Sequence, residues 1–178
     1  FTSRRMEIIS AQITTSASGG VVDSFHVIDH DFVDQVPLSH IEKIEEEIRK
    51  AVKGESDART MFLSNQRFHE STELSGEYEL GRVEIDNHSS KRCTIIDVIS
   101  NDRTGLLYII SRAISRMGLS VVMAKISTHL DQVVDVFYVI DEHEQKIVDE
   151  ERLQQIRQKL ESTLHDFELE GYKRYQRV

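Results

Sequence analysis

The chain has 178 residues, with 39% apolar and 30% charged side chains and a formal charge of −9. That length suits one large domain or two small ones, and the composition suits a soluble globular protein. No apolar run approaches the length of a membrane span, and no signal-peptide pattern opens the chain, which argues against secretion. The acidic balance argues against a broad nucleic-acid surface, and the basic group Lys173, Arg174 and Arg177 reads as a solvated tail. The lone cysteine, Cys93, excludes an internal disulfide framework and fits a reducing, cytoplasmic setting.

Phe1 to Arg5 reads as the last turn of a helix. Met6–Thr15 (MEIISAQITT) and Val21–Asp29 (VVDSFHVID) flank the turn residues 16–20, which predicts a β-hairpin. Pro37 to Lys53 follows as a helix. Ile41, Ile44, Ile48 and Val52 form its expected core stripe, and Arg49, Lys50 and Lys53 suit the negative end of its dipole. Residues 54–81 read as a linker in which Met61, Phe62, Phe68 and Leu74 are apolar anchors. Arg82–Asp86 (RVEID) alternates as a strand does. It is expected either to complete the first sheet or to pair beside the next strand.

That next strand is Thr94 to Ser100. The turn residues Asn101-Asp102-Arg103-Thr104-Gly105 break it, and Leu106, Ile110, Ala113 and Met117 then recur at helical steps. Gly118 stands where a left-handed cap is wanted. Two further strands lie on either side of His129 to Gln132. Asp149, with Glu150 and Glu151 behind it, opens a helix expected to run to about His165, and Phe167 to Val178 is expected as a short last strand or docked tail.

The chain repeats itself. Ala11-Gln12-Ile13-Thr14-Thr15 matches Ala124-Lys125-Ile126-Ser127-Thr128, an offset of 113 as the difference between 124 and 11. Val21-Val22-Asp23 matches Val133-Val134-Asp135 at 112, as do Ile41, Ile44, Ile48 and Val52 with Leu153, Ile156, Leu160 and Leu164. On this reading the first copy lacks its first strand, its turn and most of its first helix, and the natural protein is expected to extend upstream. The domains are then a partial first copy over 1–53, the linker 54–81, and a second copy with its preceding strand and tail over 82–178.

Asp102 to Leu106 sits where a strand hands over to a helix. Backbone N–H groups at such a start are free to bind an anion, and Gly105 allows close approach. The same turn also occurs in α/β units that bind nothing. The eight histidines form no ligand cluster, and Asp29-His30-Asp31 reads as a turn rather than a metal site. Cys93 has no neighbouring base. No nucleophile elbow, P-loop or dinucleotide-binding glycine motif is present, so no catalytic residue is assigned. Asp23 and Asp135, acids inside apolar strands, read either as a solvent-facing edge or as an inter-domain contact.

Asn-Asp-Arg-Thr-Gly-Leu-Leu at 101–107 resembles the D-R-P-G-L-L signature of ACT domains, with Thr104 in the usual place of proline. VVDVFYVID and the following helix are similar to the second ACT domain at the C-terminus of bifunctional uridylyltransferase/uridylyl-removing enzymes. The resemblance implies an α+β fold: tandem ferredoxin-like βαββαβ units, the first truncated at its N-terminus. It implies an amino-acid ligand, glutamine above all, that regulates uridylylation and deuridylylation of the PII protein by upstream catalytic domains, where Mg2+ is expected. No cofactor is implied for the present residues. In amino-acid-binding ACT domains the ligand is held by this turn, by the end of the first strand and by the start of the second. By position these are Asn101, Asp102, Arg103, Thr104, Gly105 and Leu106, with Ser100 and Ser120, and Glu7 as the counterpart of Ser120 in the first copy. ACT–ACT pairing is expected, within a chain or in a homodimer, and neither nucleic acid nor membrane is an expected partner. A structural or dimerisation module without ligand, and a different amino-acid-responsive regulator, remain the alternatives.

Overall fold

The structure is a computed structural model and describes residues 6–15, 20–33, 35–57, 60, 81–101, 103, 105–129 and 132–170. Among the described residues there are six strands: β1 (Met6–Thr15), β2 (Val21–Asp29), β3 (Arg82–Asp86), β4 (Thr94–Asn101), β5 (Ser120–His129) and β6 (Gln132–Ile140). The described helices of full length are α1 (Leu38–Val52), α2 (Leu106–Arg116) and α3 (Glu150–Glu170). The chain divides into two compact units, one of Phe1–Glu7 with Val27–Leu74, the other of Ile8–His26 with Ser75–Val178.

The larger unit is built on one sheet, in the order β2-β1-β5-β6-β4-β3. The pairings β1–β5, β5–β6, β6–β4 and β4–β3 are all antiparallel. β3 therefore pairs beside β4, with Val83 opposite Val98. Alternation made it a strand but did not choose between two neighbours. It takes the sheet position that a strand after the second helix would hold in a βαββαβ unit, so the closing strand here comes first in the sequence.

Period-two burial along the central strands explains the core. Thr94, Ile96, Val98 and Ser100 are buried on β4, and Val133, Asp135, Phe137 and Val139 on β6. Helices α2 and α3 pack on one another, α2 against β5 and α3 against β3. They contribute Ile110, Ile114, Ile156, Leu160, Leu164 and Phe167 to the same cluster. Asp135 thus lies on the core side of a central strand and is only 1% exposed. It is not a solvent-facing edge, because β6 has a neighbour on each side and 135 shares its face with the buried Phe137. Its repeat counterpart, Asp23 on the edge strand β2, is exposed.

Local signals at the helix ends match the backbone. Asp149 Oδ1 accepts the Arg152 N–H at 2.6 Å, an N-cap bond, and Gly118 follows α2 with a φ of 73°. The Arg152 guanidinium donates to the Met117 carbonyl at 2.5 Å and so satisfies an acceptor left open at the end of α2. α3 runs on through Phe167 to Glu170, so 167–170 are helical rather than a last strand, and residues 171–178 lie outside the described residues. Phe167, 2% exposed, extends the buried stripe of α3 by one more step of three.

In the smaller unit, Pro37 precedes α1 and its carbonyl accepts the N–H groups of His40 and Ile41. The core stripe expected for α1 is not buried. Ile41, Ile48 and Val52 are exposed, and no residue of this helix is buried. An apolar stripe is buried only where another apolar surface meets it; for α3 that surface comes from α2 and β3. Residues 29–31 form a turn, as expected: Asp29 Oδ1 accepts the Asp31 N–H at 3.0 Å, and Asp29 Oδ2 lies 2.9 Å from Nε2 of His40. The apolar anchors of the linker, Met61, Phe62, Phe68 and Leu74, fall outside the described residues.

One carboxylate pair across β3 and β4 sets a pH dependence. Glu84 stands directly opposite Asp97, an unfavourable like-charge pairing. Partial burial, with Glu84 and then Asp86 adding to it, raises the Asp97 pKa. A raised carboxylate binds its proton more readily in the folded state than in the unfolded state. Stability therefore falls as pH rises from the ordinary value of 3.8 through the raised one. Asp97→Asn is expected to stabilise the chain at pH 7 by about 0.5 kcal/mol. In thermal melts the gain should vanish once the pH is below the ordinary carboxylate range. Asp86 behaves oppositely. The Ser89 hydroxyl and the backbone N–H groups of His88 and Ser89 hold its pKa at about 2.

Candidate functional site

The turn after β4 is built by its backbone. Gly105 precedes α2 with φ 94° and ψ −3°, in the left-handed region that a Cβ disfavours. Its carbonyl accepts the Ile109 N–H at 3.1 Å, and Leu106 N–H donates to Arg103 O at 3.0 Å. Leu106 is buried and anchors the first turn in the core. Among the described residues no side chain makes a capping hydrogen bond at Gly105. Asp102 and Thr104 lie outside the described residues.

The far end of α3 reaches this turn. The Ser100 hydroxyl, buried at the end of β4, lies 3.2 Å from Glu168 Oε1 and donates to it, and the Gly81 N–H donates to the same oxygen at 3.0 Å. Arg103 Nη1 donates to the Glu168 carbonyl at 2.9 Å, satisfying an orphan acceptor at the end of α3. Ser100 and Arg103 thus meet through Glu168, 68 and 65 residues away along the chain. Neither Glu168 nor Gly81 was singled out from sequence, because no local pattern marks a contact of that separation.

A prediction follows from this geometry. Glu168→Ala removes both acceptor bonds of a partly exposed carboxylate and is expected to cost about 1 kcal/mol in urea unfolding. A Cβ on Gly81 would stand 2.9 Å from Glu168 Oε1 and 3.2 Å from the Ser100 hydroxyl. Gly81→Ala should therefore displace the carboxylate, and in the Glu168→Ala background it should be less harmful than alone.

The remaining site residues are placed elsewhere. β4 and β5 are both antiparallel to β6, so they run parallel to each other. Asn101 is opposite Gln132 at one end of the sheet, and Ser120 is opposite Ile140 at the other. Within this unit the sheet separates Ser120 from the turn. Ser120 lines an open groove of about 510 Å³ with Ser111, Ser115, Leu119, Val121 and Glu144. Glu144 has a positive φ of 58° in the turn after β6. Glu7 belongs to the smaller unit, where its Oε2 is 2.8 Å from Nε2 of His30.

Among the described residues, no three His, Cys, Asp or Glu side chains group closely enough to hold a metal ion. The described helices include none long and apolar enough to cross a membrane. The turn offers hydrogen-bond donors and a shaped backbone.

The family model described as "ACR9-like, ACT-like domain" matches residues 82–168. Among curated proteins, the chain is 34% identical over 167 residues to the bifunctional uridylyltransferase/uridylyl-removing enzyme of Rhodospirillum rubrum, covering 89% of this chain and 17% of that protein. It is 32% identical over 157 residues to the protein of that name from Gluconobacter oxydans, covering 88% of this chain and 16% of the relative. The corresponding Azospirillum brasilense protein is 45% identical over 85 residues, which cover 48% of this chain and 9% of that relative. The chain thus spans about a sixth of the length of the first two relatives. No solved structure matches it. The antiparallel α+β sheet, the glycine turn between β4 and α2, and the family match together identify residues 82–168 as an ACT-like domain.

Proposed function

We propose that the chain is an amino-acid-sensing regulatory region, with glutamine as its ligand, that acts on uridylylation and deuridylylation of the PII protein by catalytic domains of a longer polypeptide. The observation that carries the reading is the similarity to bifunctional uridylyltransferase/uridylyl-removing enzymes along 89% of the chain, including the ACT-like domain. What favours an α-amino acid at this turn is Gly105, with no Cβ in the way, and the Leu107 N–H at the start of α2 as a donor to the carboxylate; the Leu106 N–H is taken by the Arg103 carbonyl. Regulation then requires only that the ligand bind two states of the longer protein with different affinity.

A second reading has its own observation. Ser100 and Arg103 already bond to the end of α3 through Glu168. A turn closed in this way suits a structural or pairing module that takes no ligand. Calorimetric titration with glutamine, with glutamate and serine as controls, separates the two. Saturable heat selective for glutamine, seen in the chain or in a version extended upstream, supports the sensor. Absence of heat from both folded proteins supports the structural module.

A further inference from the structure

Two side chains expected to hold a ligand beside the turn, Ser100 and Arg103, are both engaged by one residue of α3. Glu168 Oε1 accepts the Ser100 hydroxyl at 3.2 Å and the Gly81 N–H at 3.0 Å, and the Glu168 carbonyl accepts Arg103 Nη1 at 2.9 Å. All four residues belong to the larger unit. The cradle around the carboxylate is close-fitting: a Cβ built on Gly81 would stand 2.9 Å from Glu168 Oε1 and 3.2 Å from the Ser100 hydroxyl. A hydroxyl and a backbone N–H converging on one carboxylate oxygen are donors that would serve the carboxylate of a free amino acid equally well.

This contact can open without unfolding the domain. Glu168 is half-buried, whereas its neighbour Phe167 is fully packed and holds the last turn of α3 in the core. The Glu168 side chain can therefore leave Ser100 and Gly81 while α3 stays docked. Each bond it gives up is exchanged for one to water, so the net worth of the contact is small and a competing carboxylate can match it. The competition is strict at Ser100, because a hydroxyl has a single hydrogen to donate. A ligand carboxylate that takes it displaces Glu168.

We infer, resting on the sensor reading above, that Glu168 is a latch: it competes with the ligand's carboxylate for the Ser100 hydroxyl and so couples the turn to the end of α3. An amino acid bound at the turn takes that hydroxyl with one carboxylate oxygen, and Glu168 swings away from Gly81. Occupancy of the turn is thereby reported at a helix end 68 residues further along the chain. The latch also sets the working affinity, because the ligand binds only the fraction of molecules in which Glu168 is released.

Glutamine titrations of three proteins test this, each in the 178-residue chain and in the version extended upstream: the natural sequence, Glu168→Ala and Glu168→Gln. Glu168→Ala is expected to bind glutamine on the order of fivefold more tightly than the natural sequence. Glu168→Gln keeps an acceptor oxygen without the charge and should show less than half of that gain. In the natural sequence the Gly81 amide resonance should move as glutamine saturates, and in Glu168→Ala it should not. Unchanged or weaker binding in Glu168→Ala overturns the latch and leaves the sensor reading standing. A gain as large in Glu168→Gln as in Glu168→Ala also overturns it, since charge repulsion would then be the cause. So does a Gly81 amide that stays fixed at saturation. Absence of glutamine binding in all three proteins overturns the sensor reading itself, and the latch with it.

Discussion

Leu160→Ala is expected to lower the unfolding free energy by about 2 to 5 kcal/mol, the range for emptying a well-packed aliphatic site. Ile48→Ala, at the repeat-related position in α1, should change it by no more than about 0.5 kcal/mol, as exposed sites do. The two residues occupy the same place in the same helical stripe, 112 positions apart. Their surroundings differ: Leu160 is fully buried in the cluster that includes Ile96, Ile110 and Phe137, and Ile48 is 43% exposed. Urea unfolding followed by circular dichroism reads both. A large loss at Ile48 would mean that its stripe is covered in solution.

Gly105→Val is the second substitution with a large expected effect. A φ of 94° puts a side chain against the following carbonyl, at about 1 to 2 kcal/mol for an ordinary L-residue, and β-branching narrows the choices further. The expected loss of stability is at least about 1 to 2 kcal/mol. On the sensor reading, glutamine binding should fall by more than the stability change explains, because the new side chain also fills the approach to the N–H groups of α2. Gly118→Val is the control, since it carries a similar backbone penalty at φ 73° away from the turn, with no atom within 4 Å of its Cβ. Gly118→Val should lose stability and keep binding. Equal loss of binding in both would assign the effect to folding alone.

Much of the fold was legible because its signals are local. The first hairpin, the glycine turn and the stripe of α2 follow from spacing and turn chemistry, and the structure has each of them. What eluded the sequence depends on partners. RVEID had the alternation of a strand, but only the sheet shows that Val83 faces Val98. The length of α3 was underestimated although a signal existed. Phe167 continues the stripe of Leu160 and Leu164, and Gly171 stands where a helix stop is favoured. The stripe of α1 was read correctly as apolar and wrongly as buried, since periodicity reports one face of an interface and not the other. At the site, the turn was legible. The bonds of Glu168 to Ser100 and Gly81 were not, because they join residues 68 and 87 apart.

The central claim is that the turn between β4 and α2 receives an amino acid. Amide chemical shifts of the 178-residue chain during a glutamine titration test it most directly. The account predicts saturable changes centred on Gly105, Leu106 and Leu107, with much smaller ones at Ser111, Ser115 and Ser120. Changes confined to the groove at Ser120, or none at the turn in this chain and in its upstream-extended form, would contradict it.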